Sequence, residues 1–591
     1  MNTRKITAFL RGHWQLIALC AVLLLGVVIP MCSVQTMLGH DVYYHMTRME
    51  SVAQELKNGN IPTRLYYFVY DGYGYASPMF YGDLFLYIPA ALILMGMSMP
   101  LAYKAFMIIC VCACALTSYY CGRKMFGSRT AALIVAVSYA FSSYFAVDTF
   151  TRAANGEMQA FVFVPLAFLG LYGIIEEDGR YWYFLPLGLA AVMVSHLLTA
   201  AMLVFFLFVY ALINLPKLIK KPKGFIRIAV CAAVFLLVAA CFLMPLVEQL
   251  VSAEFLSTDG TSATKFGTMA ERTLTPRQTI SLFNMKTDND PWIPNGIGYL
   301  PPALLLFRLV MIKRIRFCRG DVFLILSFFC LFASSSLFPW DLFQGLLGTL
   351  QFPWRIMLFA TLFAALSAGD YFRQMPAESA GAFTAAVCVL SLCAFGSVYV
   401  PRMSTYAGYE QSGYEVVYYK GINIGGNIGV GEYLPSGTDR GKMLNRGNVV
   451  TSDGTGNYRA YQEDGGDLYV AVEYGDGMGT YLDLPLIMYK GYSASFITAA
   501  GAEIPLETDY GENNVLRVYL GGVTESGTVY VTYSGTAVQH VSAWISAISC
   551  IALAAAGIYF SCRKAARKRS QTRTPSPEAP ELSSEAPRAY D

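Results

Sequence analysis

Long apolar runs separated by short polar loops make up most of this chain, and the length of those runs predicts helices that cross a membrane. Runs near the ~20 residues a helix needs to span a bilayer lie at about 15–33, 102–121, 130–147, 158–175, 225–245, 322–338, 355–371, 381–399 and 541–561. The block 182–214 is too long for one span and is split by His196 into two short ones. With another short span at 298–312, the total is about twelve. The stretch 84–99 is apolar and nearly long enough, but counting it would invert everything downstream. It reads as a helix lying in, or dipping into, one leaflet.

Loop charge then sets the orientation. Arg4, Lys5 and Arg11 hold the N-terminus inside. The other basic loops are Arg123-Lys124 with Arg129, Lys217 to Lys223, Lys313 to Arg319, Arg373, and Arg563 to Arg569, and all come out cytoplasmic with these spans. Residues 34–101, 148–157, Ser195-His196, 246–297, 339–354 and 400–540 are thereby expected outside, with both termini cytoplasmic. The first apolar run is not expected to be a cleaved signal, since its small-residue exit is poor and polar membrane-surface residues follow at once.

From about 400 the pattern changes to alternation, as in Leu468-Tyr469-Val470-Ala471-Val472 and Thr528-Val529-Tyr530-Val531-Thr532. Asp453-Gly454, Asp464-Gly465 and Asp476-Gly477 punctuate it as hairpin signals. The expected organisation is a mainly α polytopic membrane domain at 1–399, with a first outer loop at 34–101. An extracytoplasmic all-β sandwich follows at 400–540, then a last transmembrane helix at 541–562 and a cytoplasmic tail at 563–591. The tail's Ser, Pro, Glu and Ala content predicts disorder.

Composition agrees with a membrane protein and changes the picture little. Of 591 residues, 55% are hydrophobic and 14% charged. A net charge of +3 with no single basic patch excludes nucleic acid as a partner. The fourteen cysteines sit in or beside apolar spans and none lies in the polar region 400–540. They read as small packing residues, and an outward domain without disulfides suits a bacterial plasma membrane.

The candidate chemistry collects at one rim. Asp41 and His45, four apart, share a helix face; they could coordinate a divalent metal, or Asp41 could act as a general base beside His45. A helix cap and an interfacial imidazole are the ordinary alternative. Arg48 follows on the same segment. Arg64 opens an aromatic stretch whose Tyr73 and Tyr75 suit a sugar or lipid-sugar groove, or equally an interfacial aromatic belt. Arg152 suits a phosphate, and Glu157 or Asp148 could supply a second acid. His196 tops a short hairpin, and Trp354-Arg355 opens another span, where Arg355 could hold a lipid phosphate or snorkel to headgroups. Mid-span positions carry almost no ionisable residue, which argues for work at one leaflet over passage through the bilayer.

The motifs GHDVYYHMTRMESVAQELKNGNIPTR at 39–64, GYGYASPMFYGDLFLYIPA at 72–90, TRAANGEMQAFVFVPLAFLG at 151–170 and QFPWRI at 351–356 resemble the bacterial multispanning family named 6-pyruvoyl-tetrahydropterin synthase-related. That name denotes kinship and implies no pterin chemistry. The layout also resembles GT-C glycosyltransferases, whose first outer loop carries a catalytic acid and whose donors are polyprenyl-phosphate sugars. By that resemblance Asp41 is the first-loop acid, and the second maps to Glu157 or Asp148 without a D-x-D or E-x-D motif. The resemblance implies inverting transfer to a cell-envelope glycan, lipid or protein acceptor that docks on the β-domain. A non-catalytic binder of glycan or lipid-linked sugar and a lipid-sugar transporter are the rival readings.

Overall fold

Six helices are long and apolar enough to cross a membrane in the computed structural model, which describes residues 3–33, 39–259, 268–280, 296–375, 377–411, 428–429 and 431–571. They are His13–Cys32, Met99–Phe126, Asn155–Ile175, Pro353–Arg373, Ala380–Val400 and Ala537–Arg563. Two bent pairs raise the number to eight: Arg129–Ala140 with Ser143–Arg152, bent by 42°, and Lys223–Val238 with Ala240–Ser252, bent by 71°. The other four expected spans are helices too short for that test: Phe184–Ser195, Leu197–Ile213, Leu300–Val310 and Arg319–Ser334. Each of the twelve apolar runs is therefore a helix, and six to eight have spanning length. The stretch 84–99 forms the short helix Leu84–Leu94. At ~1.5 Å per residue it is about 16 Å long, half the ~30 Å of a hydrocarbon core.

The bundle core is formed by Met99–Phe126, Arg129–Ala140, Asn155–Ile175 and Pro353–Arg373. Asn155–Ile175 is buried around nearly its whole circumference, as expected of a helix that is apolar on all sides. By contrast Ala537–Arg563 keeps most of its surface exposed and apolar, a lipid-facing pattern. All fourteen cysteines are free.

Among the described residues nine strands follow: β1 Thr451–Ser452, β2 Arg459–Gln462, β3 Leu468–Val472, β4 Tyr481–Ile487, β5 Tyr492–Thr498, β6 Glu503–Leu506, β7 Thr508–Tyr510, β8 Val515–Tyr519 and β9 Gly527–Tyr533. They form two antiparallel sheets, ordered β1-β4-β8-β7 and β2-β3-β9-β5-β6. Leu468, Val470, Val529 and Val531 from one sheet and Leu482, Leu484, Leu486 and Val518 from the other are buried in one apolar core. The helix Ala377–Gln411 runs past residue 400, and the strands occupy 451–533. Of the three Asp-Gly signals only Asp464-Gly465 closes a hairpin, between β2 and β3. The other two loops brace each other: Thr455 and Gly456 donate to the Gly477 carbonyl, and Asp453 accepts from the Thr480 amide at 2.7 Å. A turn signal fixes a reversal of the chain, but not which strands lie either side of it. The tail beyond Gln571 lies outside the described residues.

The first loop is held between bundle and sheets. Ile487 donates to the Tyr73 carbonyl at 2.9 Å, and Gln462 to the Gly72 carbonyl at 3.0 Å. Tyr533 donates its hydroxyl to Met79 Sδ at 3.4 Å.

Candidate active site

Helix ends build this site. Asp41 is the N-cap residue of Val42–Lys57, but its carboxylate makes no capping bond. Its position is set by the backbone instead. His40 N donates to the Thr151 carbonyl at 3.1 Å and Asp41 N to the Arg152 carbonyl at 2.9 Å. Gly39 permits this approach, since a Cβ there would meet Ala153 Cβ at 2.5 Å. The partner strand of backbone is itself unusual. Val147–Arg152 is a π-helical turn, and Ala153 follows with φ +55°. Such π-turns widen a helix and re-aim its side chains; here the turn brings Asp148 and Arg152 to one point.

At that point Arg152 Nη1 lies 2.6 Å from Asp148 Oδ1 and 2.7 Å from Glu157 Oε2. Tyr144 donates its hydroxyl to Glu157 Oε1 at 2.7 Å. Arg355 Nε approaches Glu157 Oε2 at 3.9 Å, while its Nη1 bonds the Leu350 carbonyl at 2.8 Å and Gln351 Oε1 at 3.0 Å. Asp148 and Glu157 are fully buried, so the ion pairs form where charge is weakly screened.

Three carboxylates and two guanidinium groups share this cluster, and their commitments differ. Glu157 accepts at both oxygens and Asp148 at one. Among the described residues Asp41 has no side-chain hydrogen bond or ion pair. It is surface-accessible yet crowded by protein, as a group in a recess is. Burial raises its carboxyl above the ordinary range; Arg152 and Arg355 draw it down, and Glu157 adds to the rise.

His45 is buried, and Tyr44 and Tyr81 flank its ring at 5.1 and 6.2 Å. Its Nδ1 has no hydrogen-bond partner among the described residues. Burial, with Arg48, His196 and Arg152 nearby, lowers its pKa well below the usual imidazole value, so the ring is neutral. His196 breaks the chain between Phe184–Ser195 and Leu197–Ile213, and its Nδ1 accepts from Thr199 N at 3.3 Å. The same Nδ1 lies 2.7 Å from the Thr199 hydroxyl. Tyr81 stands between the two imidazoles, edge-on to His196 at 5.9 Å.

Other expected residues lie elsewhere. Arg48 is fully buried and engaged internally: Nη2 donates to the Tyr81 and Gly82 carbonyls at 2.9 Å each and pairs with Asp83. Arg64 reaches the carbonyls of Cys241 at 3.2 Å and Gln539 at 3.4 Å. Tyr73 donates to the Gly447 carbonyl at 2.7 Å, and Tyr75 accepts from Tyr433 N at 3.0 Å. Both tyrosines are buried, so they fasten the loop toward the sheet region and do not line an open sugar groove. Trp354 stacks on Phe352 at 4.5 Å.

Among the described residues no three His, Cys, Asp or Glu side chains are grouped to hold a metal ion. Asp41, His45 and Glu157 are thus not gathered as ligands. Glu157 is taken by Arg152 and Tyr144, and His45 lies beside two guanidinium groups that would repel a cation. Tyr144, Tyr81, Asn155 and Asp83 were not anticipated. Asn155 is buried with neither amide atom bonded among the described residues; its place in the TRAANGE motif was the available signal.

Fold and site together define a polytopic helical membrane protein with a carboxylate–guanidinium cluster at the rim that bears the β-sheets. The chain belongs to the family described as bacterial membrane protein YfhO, whose profile matches residues 67–418. That match carries no pterin-synthase name. Among solved structures the chain is similar to arabinofuranosyltransferase AftD from Mycobacteria, at 13% identity and TM-score 0.34, over 66% of this chain and 27% of that one. It is also similar to the oligosaccharyltransferase of Archaeoglobus fulgidus in its apo form, at 14% identity and TM-score 0.36, over 66% and 56%. The chain thus spans about a quarter of the first protein and just over half of the second. No curated protein matches it.

Proposed function

We propose that this protein is an integral membrane glycosyltransferase that moves a sugar from a polyprenyl-phosphate donor to a cell-envelope acceptor on the outer face of the membrane. One observation carries the reading. Asp41 is the single uncommitted carboxylate of the cluster among the described residues, held by backbone bonds and accessible in a recess. A general base needs those properties: reach, a fixed position and a free oxygen. Asp41 takes the proton of the acceptor hydroxyl, which attacks the anomeric carbon as the phosphate leaves from the opposite face. Arg355, paired with Glu157 only at 3.9 Å, is better suited to meet the phosphate's growing charge than Arg152, whose Nη1 is held by Asp148 and Glu157 at 2.6 and 2.7 Å. Glu157 and Asp148 then hold the two arginines in place.

The test uses the full chain in lipid with radiolabelled polyprenyl-phosphate sugars and envelope acceptors, with and without divalent metal. Asp41→Asn is expected to lower turnover by ~10²-fold or more with the fold intact. A folded, fully active Asp41→Asn protein overturns the assignment. A second reading, a binder of lipid-linked sugar without turnover, is favoured by the close pairing of Arg152 with Asp148 and Glu157, which is how a structural ion cluster is built. Donor binding that never leads to transfer supports it.

A further inference from the structure

The outer face of the five-stranded sheet carries a row of residues unlike the rest of the surface. Tyr461 on β2 is directly opposite Tyr469 on β3, Tyr469 opposite Tyr530 on β9, and Tyr530 opposite Ser495 on β5. Ring centroids are 6.4 Å apart for the first pair and 5.1 Å for the second, with interplanar angles of 36° and 37°. Flanking positions on the same face are Ala471, Thr528, Thr532, Ser493 and Ile497, with the exposed Arg459 of β2 opposite Ala471. Tyr461 is 65% exposed, and the other two rings are half-buried.

Two carboxylates edge the row, each held by one donor. Tyr530 donates its hydroxyl to Asp467 Oδ2 at 2.8 Å, and Ser495 donates to Glu503 Oε1 at 2.7 Å. Each keeps lone pairs directed away from its donor.

We propose that this tyrosine row is a binding platform for an uncharged glycan chain. The rings present adjacent flat faces, to which the C–H faces of successive sugars can stack. Asp467 and Glu503 are acceptor-only groups, so they take hydrogen bonds from sugar hydroxyls. The same carboxylates, with Glu463 beside Tyr469, outnumber the Arg459 guanidinium on this face, so phosphorylated or carboxylated polymers are disfavoured and the neutral class is selected. Cross-strand tyrosine pairs also stabilise sheets, but that role needs neither 65% exposure at Tyr461 nor flanking acids. The platform adjoins the loop that carries the site: the Tyr67 ring packs on Gly466, in the turn between β2 and β3. Binding here stands apart from the transferase reading, because it is measured without turnover.

The test titrates the full-length protein in nanodiscs with cello-, malto- and chitohexaose and with hyaluronan as the charged control, following tyrosine fluorescence and isothermal heat. At least one neutral hexasaccharide is expected to bind and hyaluronan not to. Tyr461→Ala, on an edge strand at an exposed position, is expected to weaken binding about tenfold with thermal unfolding unchanged, and Tyr469→Ala to do the same or more. Failure of all three neutral probes at millimolar concentration, or binding untouched by Tyr461→Ala, overturns the proposal.

Discussion

Arg48 and Asp83 offer the sharpest test of how the first loop is held. Their side chains are 2% and 4% exposed. The guanidinium also bonds two carbonyls and lies 4.1 Å from the Tyr81 ring centroid, while Tyr66 donates its hydroxyl to Asp83. Asp83→Leu strands a buried cation, and breaking a buried pair on one side costs roughly 3–5 kcal/mol. Losing the acceptor of the Tyr66 hydroxyl adds about 1 kcal/mol or more. Arg48→Met strands the carboxylate at a similar cost. Replacing both leaves no buried charge, so the double variant is expected to recover most of the loss, short only of the Tyr66 and carbonyl bonds. Fluorescence-detected unfolding in detergent should rank wild type above the double variant and the double above either single. Donor binding by the double variant gives a second readout: the Arg48 Nη2 is engaged internally by Asp83 and two carbonyls, so affinity is expected to hold. Additive destabilisation refutes the buried-pair argument. A stable double variant that has lost the donor refutes the structural role.

Glu55 is fully buried, accepting from Asn60 Nδ2 at 2.8 Å and Tyr67 N at 3.0 Å, and burial raises its carboxyl from 4.5 to about 7. The folded state therefore holds this proton more tightly than the unfolded chain. The contribution of Glu55 to stability is greatest below pH ~4.5 and falls by about 3 kcal/mol in all as pH rises to ~7. Glu55→Gln should flatten that slope, giving a melting temperature that gains on wild type between those pH values. An unchanged slope refutes the assignment. At Gly156 a Cβ would strike the Tyr81 hydroxyl and lie 2.7 Å from the Ser195 carbonyl. Gly156→Ala is expected to cost about 2 kcal/mol and to reduce turnover by displacing Tyr81, whereas Gly381→Ala, with nothing within 4 Å, is expected to be neutral or better. Equal melting temperatures for the two would overturn the packing argument.

Membrane character was legible in the sequence because run length and apolarity report directly on helices. So was the rim: Asp41, Asp148, Arg152, Glu157 and Arg355 are brought together from three separate segments. What the pattern could not show is which polar groups satisfy each other. Arg48 and Arg152 look alike as exposed-loop arginines. One is tied to Asp83, thirty-five residues away, and the other to Asp148 and Glu157, four and five residues away. Tyr73 and Tyr75 illustrate the same limit, since an aromatic side chain suits a groove or an interface until its hydroxyl's partner is known. Alternation was readable for β3 and β9, where the buried positions recur every second residue and a one-residue slip would turn the apolar set outward.

Pro353–Arg373 carries Arg355 near one end and Asp370 near the other, about 22 Å apart at ~1.5 Å per residue. Asp370 accepts from Gly320 N at 2.8 Å and pairs with Arg373 at 3.4 Å. Beside it Asp321 pairs with Arg308 and accepts from the Tyr371 hydroxyl at 2.8 Å. This second cluster joins helix ends at the far side of the bundle, and almost all of Pro353–Arg373 between the two is buried. Passage of a lipid-linked sugar needs polar groups near the middle and helices free to part. Here ion pairs join helix ends at each side, among them Arg152 with Asp148 on the kinked segment Ser143–Arg152. A transporter would have to open both clusters, whereas a catalyst or binder at the β-bearing rim needs only the first. That asymmetry places the functional question on Asp41, whose carboxylate has no hydrogen bond or ion pair among the described residues although it stands beside Arg152 and Arg355.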